Sequence, residues 1–265
     1  MVAKIAKLDE RSPLRARMSD GEWETRVELA AAFRAAYHFG WNRTISNHMT
    51  ARLPDAHTHF LMNPRGLGWD EITAANLIKL DLDGNVLSDT DLLPGPAGLN
   101  FHSAILRSKP EIACTFHLHA IEGVIVSTLA EGLRFFDQES CAIYGQVSTH
   151  AFEGLAEEKD EAPRIISDLG DKFTMIMLNH GLLTVGRTIG EAFVYMDKLI
   201  RACETQVRIM STGGTARPVP KEVCEHTFRQ MEARRGNKPS GELEWKMYMR
   251  RVKQLDPSFA GERKG

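Results

Sequence analysis

Two histidines stand two positions apart in His117-Leu118-His119, where an apolar run from Ile112 ends. Residues two apart in a strand project to one face, so this spacing presents two imidazoles to a single cation. Neutral imidazole serves Zn, Fe, Co and Ni alike. The best third ligand is His180, in Met177-Leu-Asn-His-Gly-Leu-Leu183, where a second apolar strand runs out into a glycine turn. Adjacent strand ends in one sheet bring such distant positions together. Three protein ligands with an open position is the catalytic arrangement, whereas a structural zinc closes with a fourth residue, often Cys. Cys114, Cys141, Cys203 and Cys224 show no such spacing to the histidines. Cys114 lies three before His117, on the opposite face, and reads as a core thiol. The plainer alternative is a chance His-x-His pair at a strand end, each ring satisfied by a backbone carbonyl.

A Lewis acid alone moves no protons, so an acid or base is also needed. Glu139 follows Phe135-Phe136, an aromatic pair able to desolvate a carboxylate and raise its pKa. Against this stands a solvated loop carboxylate. Tyr144 is a candidate hydroxyl donor. His48 and Asn47 lie in a polar break inside a strand pattern, which suits contact with a substrate or a surface turn. His102, at the start of a helix, either lines the site or caps the helix. The other histidines look ordinary, and Glu157–Glu161 reads as a solvated acidic face.

The elements that must position these residues follow from periodicity. Ser19 and Glu22 have the form of a capping box before a helix carrying Leu29, Ala32, Phe33 and Ala36, closed at Gly40. The first 18 residues are mixed and charged, and are expected to pack loosely or reach toward another subunit. Strands are expected over 44–53 and 59–62, split by Pro54-Asp55, then a short helix over 72–77. A hairpin follows from 78 to 87, turning at Asp83-Gly84-Asn85. Next come a helix over 99–108 stopped by Pro110, a strand over 112–117, a helix over 122–130 and a short segment at 140–144. A helix over 163–169, a strand over 174–178 and a long helix over 189–210 complete the core. Helices over 221–234 and 241–253 form a C-terminal extension.

Hairpin signals in the first hundred residues favour a mixed, mostly antiparallel sheet over a regular βαβ array. Neither the dinucleotide-binding nor the P-loop glycine motif occurs. With 33 basic against 35 acidic side chains, there is no global basic field for nucleic acid or anionic lipid. No apolar run is long enough to span a bilayer, and no signal-peptide core is visible. Four unpaired cysteines fit reduced thiols, so a soluble cytoplasmic domain of 265 residues is expected.

These residues also carry a resemblance. Phe101–Pro110 followed by Phe116-His-Leu-His119, with Leu178-Asn-His-Gly-Leu-Leu-Thr-Val-Gly186, resembles the class II aldolase/adducin family over roughly residues 21–213. Asn63-Pro-Arg-Gly66, Glu71-Ile-Thr-Ala74 and Lys79–Gly84 look closer to its adducin-like bacterial branch. The resemblance implies a three-layer α/β/α sandwich and one divalent ion on His117, His119 and His180. Zn2+ is the usual metal, with Fe2+, Mn2+ or Co2+ as alternatives. It also implies a homotetramer with sites at subunit boundaries.

The departures from that family are informative. Where its sugar-phosphate aldolases carry Ser-Ser-Glu, this chain has Pro96, Ala97 and Gly98. Two phosphate-binding hydroxyls and the usual base are missing, so Arg65 is expected to meet a substrate carboxylate instead. Glu139 resembles the acid/base of the dehydratase branch. The leading expectation is a carbon–carbon lyase, an aldolase or decarboxylase acting on a small hydroxy, oxo or aromatic acid, with Glu139 or His48 handling the proton. The alternatives are a non-haem iron oxygenase acting on an aryl-pyruvate-type acid and a non-catalytic scaffold like the adducin head.

Overall fold

The computed structural model describes residues 15–42, 44–155 and 160–261. Most of the N-terminal stretch and the first three residues of the acidic run, 157–159, lie outside the described residues.

Ser19 caps α1 (Asp20–His38), its hydroxyl oxygen accepting the Glu22 N–H at 3.0 Å. The reciprocal half of the expected capping box is absent. The Glu22 carboxylate turns inward instead, accepting from Arg26 Nε at 3.0 Å and Lys79 Nζ at 2.7 Å. Leu29 to Phe33 are wholly buried against the sheet.

Seven strands form that sheet: β1 (His48–Leu53), β2 (Ala56–Met62), β3 (Ile78–Asp81), β4 (Cys114–Leu118), β5 (Val147–His150), β6 (Thr174–Met177) and β7 (Gly181–Gly186). Their order is β3-β2-β1-β4-β7-β6-β5, antiparallel throughout except for the β5–β6 pair. One face is covered by α1, by α3 (Ile121–Ser127) and by the long α6 (Ile189–Ser211). The other face carries α2 (Pro96–Ser108) and α5 (Ala162–Leu169). The architecture is the expected α/β/α sandwich with a mostly antiparallel sheet. The short α4 (Gln138–Cys141) precedes β5. Helices α7 (Lys221–Arg235) and α8 (Glu242–Leu255) follow α6. Trp245 of α8 donates to Glu28 of α1 at 2.6 Å, and the Tyr248 hydroxyl donates to Asp197 of α6 at 3.0 Å.

Three local expectations change. Residues 72–77 form turns, not a helix, because α1 claims their carbonyls. Arg26 donates to Ala74 O and Leu77 O, and Arg34 donates to Ile72 O. Trp69 is buried edge-on against Phe33 at the head of that loop. The first strand begins at His48 rather than Thr44, since the Thr44 and Ser46 hydroxyls bond locally and favour a turn. Two strands, β5 and β7, were not expected from the pattern. The first is four residues long at the sheet edge, and the second opens and closes on glycine.

Arg26 is 2% exposed and ties α1 to the loop beneath the sheet. Arg26→Ala leaves the Glu22 carboxylate buried with only Lys79, so urea unfolding is expected to show a loss of about 3–5 kcal/mol. A loss below about 1 kcal/mol, the range of a surface pair, contradicts this role.

Candidate metal centre and adjoining cleft

The three histidines come from two neighbouring strand ends. His117 lies in β4, His119 follows it, and His180 closes the turn between β6 and β7. That turn is tight. Asn179 adopts a left-handed backbone with φ of 56°, its N–H bonds Ser127 O, and His180 N–H bonds Met177 O at 3.1 Å. Gly181 then starts β7 so close to β4 that a Cβ would stand 2.6 Å from Leu118 O and 2.9 Å from the His119 ring. One ligand nitrogen from each histidine falls within 4.8 Å of the others.

The donor set suits a divalent cation. His117 Nδ1 and Leu182 O are 3.1 Å apart, so the carbonyl holds the ring proton on Nδ1 and frees Nε2 for a ligand bond. That Nε2 faces His119 Nε2 at 2.8 Å. Burial and neighbouring imidazoles hold the His117 ring well below the usual histidine range; burial lowers His119, and burial with the His119 charge takes His180 down to about 4. Each ring is therefore neutral near pH 7, the state that binds metal. Phe152 stands edge-on to His180 at 6.0 Å.

His48 pairs with His117 across β1 and β4 and stacks on it at 5.0 Å. Its Nδ1 lies 3.0 Å from Nε2 of His102 in α2. Burial, with the His119 and His180 charges, pushes the His48 pKa down to about 3, and burial holds His102 far below its ordinary value. His48 also walls a cleft of about 180 Å3 shared with Asn47, Asn63, Arg65 and Gly95–Gly98. Asn47 is 1% exposed: its Oδ1 accepts the His119 N–H at 2.7 Å, but its Nδ2 has no partner. Helix α2 begins at the same cleft, with N-cap Gly95 supplying no side-chain cap. Arg65 is exposed on the rim, without a carboxylate partner among the described residues. An uncapped helix start and a free guanidinium line this cleft together with Asn47, whose amide N–H is unpaired, which is a setting for an anionic group.

Of the residues singled out from sequence, His48, Asn47, His102, His117, His119 and His180 are brought together, with Arg65 at the cleft rim. Glu139 and Tyr144 are not. Glu139 is exposed on α4, where its charge reaches Asp197 of α6 and none of the three imidazoles. Tyr144 packs edge-on against Phe135 at 4.7 Å. Two residues escaped the sequence reading: Thr50 and Thr115, whose hydroxyls lie behind His102. Strand parity would have found Thr115, two before His117 on the same face.

A family model described as Class II Aldolase and Adducin N-terminal domain matches residues 27–207. The chain belongs to the class II aldolase/adducin family. A putative aldolase class 2 protein of Caulobacter vibrioides is 37% identical over 247 residues, covering 93% of this chain and 96% of the relative. Among solved structures, an aldolase II superfamily protein from Pseudomonas syringae matches with TM-score 0.85 at 37% identity, covering 93% of this chain and 99% of that one. An L-fuculose 1-phosphate aldolase from Glaciozyma antarctica matches with TM-score 0.79 at 29% identity, over 92% and 93%. Family, fold and histidine cluster together are consistent with a metal-dependent class II aldolase-type lyase. No described helix is long and apolar enough to cross a membrane.

The lowered imidazole pKa values give this family member a pH signature in its metal-free form. A histidine at about 4 in the fold and near 6.5 when unfolded binds fewer protons folded than unfolded. Its contribution is complete above pH 6.5 and is lost as pH falls toward 4. Urea midpoints of the metal-free protein should fall across that window, and His180→Gln should flatten the slope. Equal slopes in the two proteins contradict the shift.

Proposed function

We propose that this chain is a divalent-metal-dependent carbon–carbon lyase, an aldolase or decarboxylase, acting on a small, non-phosphorylated hydroxy or oxo acid. One observation carries the reading: three neutral imidazoles converge on one point beside a cleft with an unpaired, buried Asn47 amide and a free Arg65. His117, His119 and His180 would hold one ion per chain, and we assign Zn2+ first. A divalent ion bound there supplies a Lewis acid beside the substrate's oxygens. Asn47 and Arg65 hold the carboxylate and fix which carbon faces the histidines. Phe152 shields one side of His180 from water.

The finer family placement, in the adducin-like bacterial branch, rests on Asn63–Gly66, Glu71–Ala74 and Lys79–Gly84 and belongs to the same proposal, as does a cytoplasmic location. So does a homotetramer. Its support is a set of exposed apolar side chains near the histidines: Ile121 and Ile125 on α3, and Phe152. Glu139 and Tyr144, remote from the histidines of their own chain, then serve a site only from a neighbouring copy.

Cleavage next to a 2-oxo acid leaves negative charge on C3, and its reversal can be watched as proton exchange. Zn-loaded protein is expected to exchange the C3 protons of pyruvate in D2O, read by proton NMR. Chelation should slow that exchange by roughly 100-fold or more. Arg65→Ala should raise KM about tenfold with kcat within about threefold, the pattern of lost ground-state binding. Exchange untouched by a chelator, or turnover that strictly requires oxygen, contradicts the lyase reading.

A further inference from the structure

Behind His48 the polar groups continue without a break into the interior. His48 Nδ1 meets His102 Nε2 at 3.0 Å, and His102 Nδ1 meets Thr115 Oγ1 at 2.6 Å and Thr50 Oγ1 at 3.1 Å. The two hydroxyl oxygens are 2.5 Å apart. His102, Thr50 and Thr115 have no solvent exposure.

The protons in this cluster can be counted. Each hydroxyl brings one proton, and the acceptors in reach are the two hydroxyl oxygens and Nδ1. With a proton on Nδ1, three donors would share two oxygens, and one hydroxyl proton would be stranded in the dry interior. With Nδ1 bare, one threonine donates to the other, the second donates to Nδ1, and every donor is satisfied. His102 therefore carries its proton on Nε2 and donates it to His48 Nδ1. The His48 proton then sits on its own Nε2, the nitrogen left for the cleft that His48 lines.

The cleft wall is shaped around this ring. A Cβ at Gly98 would stand 2.6 Å from both Cγ and Cδ2 of His48, so any side chain at position 98 displaces the imidazole. On its opposite side the ring is stacked against His117.

We propose that His48 is a fixed hydrogen-bond donor to the substrate, presenting Nε2–H between the carboxylate cleft and the metal-ligand histidines. His102, Thr115 and Thr50 are positioning residues that set its tautomer. A donor at that place stabilises the oxygen that gains charge as the carbon–carbon bond breaks. Proton removal then falls to another group. The substrate end of this inference rests on the lyase reading; the tautomer does not.

The test has two arms. Long-range proton–nitrogen NMR of protein labelled with 15N-histidine, assigned with the His48→Gln variant, is expected to show both His48 and His102 as Nε2–H tautomers. The Thr50→Val, Thr115→Val double variant should release that preference. A proton on His48 Nδ1 in the unmodified chain overturns the assignment, whatever the substrate proves to be. In the second arm, Zn-loaded variants are compared in pyruvate C3 exchange. His48→Gln, which keeps an N–H near Nε2, should stay within about tenfold of the unmodified protein, while His48→Ala falls about 100- to 1,000-fold. Equal loss in both variants overturns the donor role. Absence of exchange in the unmodified protein counts against the lyase reading alone, because the tautomer spectra stand by themselves.

Discussion

The candidate site depends on one piece of backbone chemistry, the pairing of β4 with β1 on one side and β7 on the other. The register sets His48 opposite His117 and Leu118 opposite Leu182. It thereby joins an N-terminal strand, a central strand and a turn about sixty residues further on. Alternation along β4 sends Cys114, Phe116 and Leu118 into the core beneath α6, and sends Thr115 and His117 toward α2. A slip of one residue would exchange those faces and turn Thr115 and His117 into the apolar core beneath α6. The packing of Phe116 and the aromatic cluster around Phe193 therefore aims the histidines as well as filling the core.

Electrostatics then determines what the site accepts. Five imidazoles linked by successive ring contacts are each held below their usual pKa, His119 by burial and the other four by burial together with neighbouring rings. Of these, His117, His119 and His180 are lone-pair donors in a region without a described counter-charge, a preference for a cation. The adjoining cleft has the opposite preference, since the Asn47 amide, the Arg65 guanidinium and the α2 start all favour an anion. A ligand satisfying both carries a carboxylate at one end and metal-binding oxygens next to it. On the proposed function that ligand is a small hydroxy or oxo acid, a reading that rests on the site and not on the fold.

Much of this was legible in the residues. His-x-His at the end of an apolar run, and His180 before a glycine, marked the candidate trio because strand parity and strand ends are local properties. The antiparallel character of the sheet followed from the hairpin signals of residues 54–87. What escaped depended on partners distant in sequence. Residues 72–77 lack a helix because arginines of α1 take their carbonyls, which no local pattern records. Strand β7, bounded by glycines, is a strand because β4 and β6 flank it. Glu139 looked desolvated beside two phenylalanines, yet α4 turns it to solvent. Strand parity points to Thr115, but its pairing with Thr50 is not readable from the sequence, since its meaning lies in the His102 ring between them and His48.

The central claim is that His117, His119 and His180 form one cation site, and the most direct measurement is metal content. Protein reloaded with Zn2+ and desalted should retain about one equivalent per chain by elemental analysis, and His117→Ala should retain almost none while staying folded. Less than about a tenth of an equivalent in the unmodified protein, with zinc or with iron, manganese or cobalt, would contradict it.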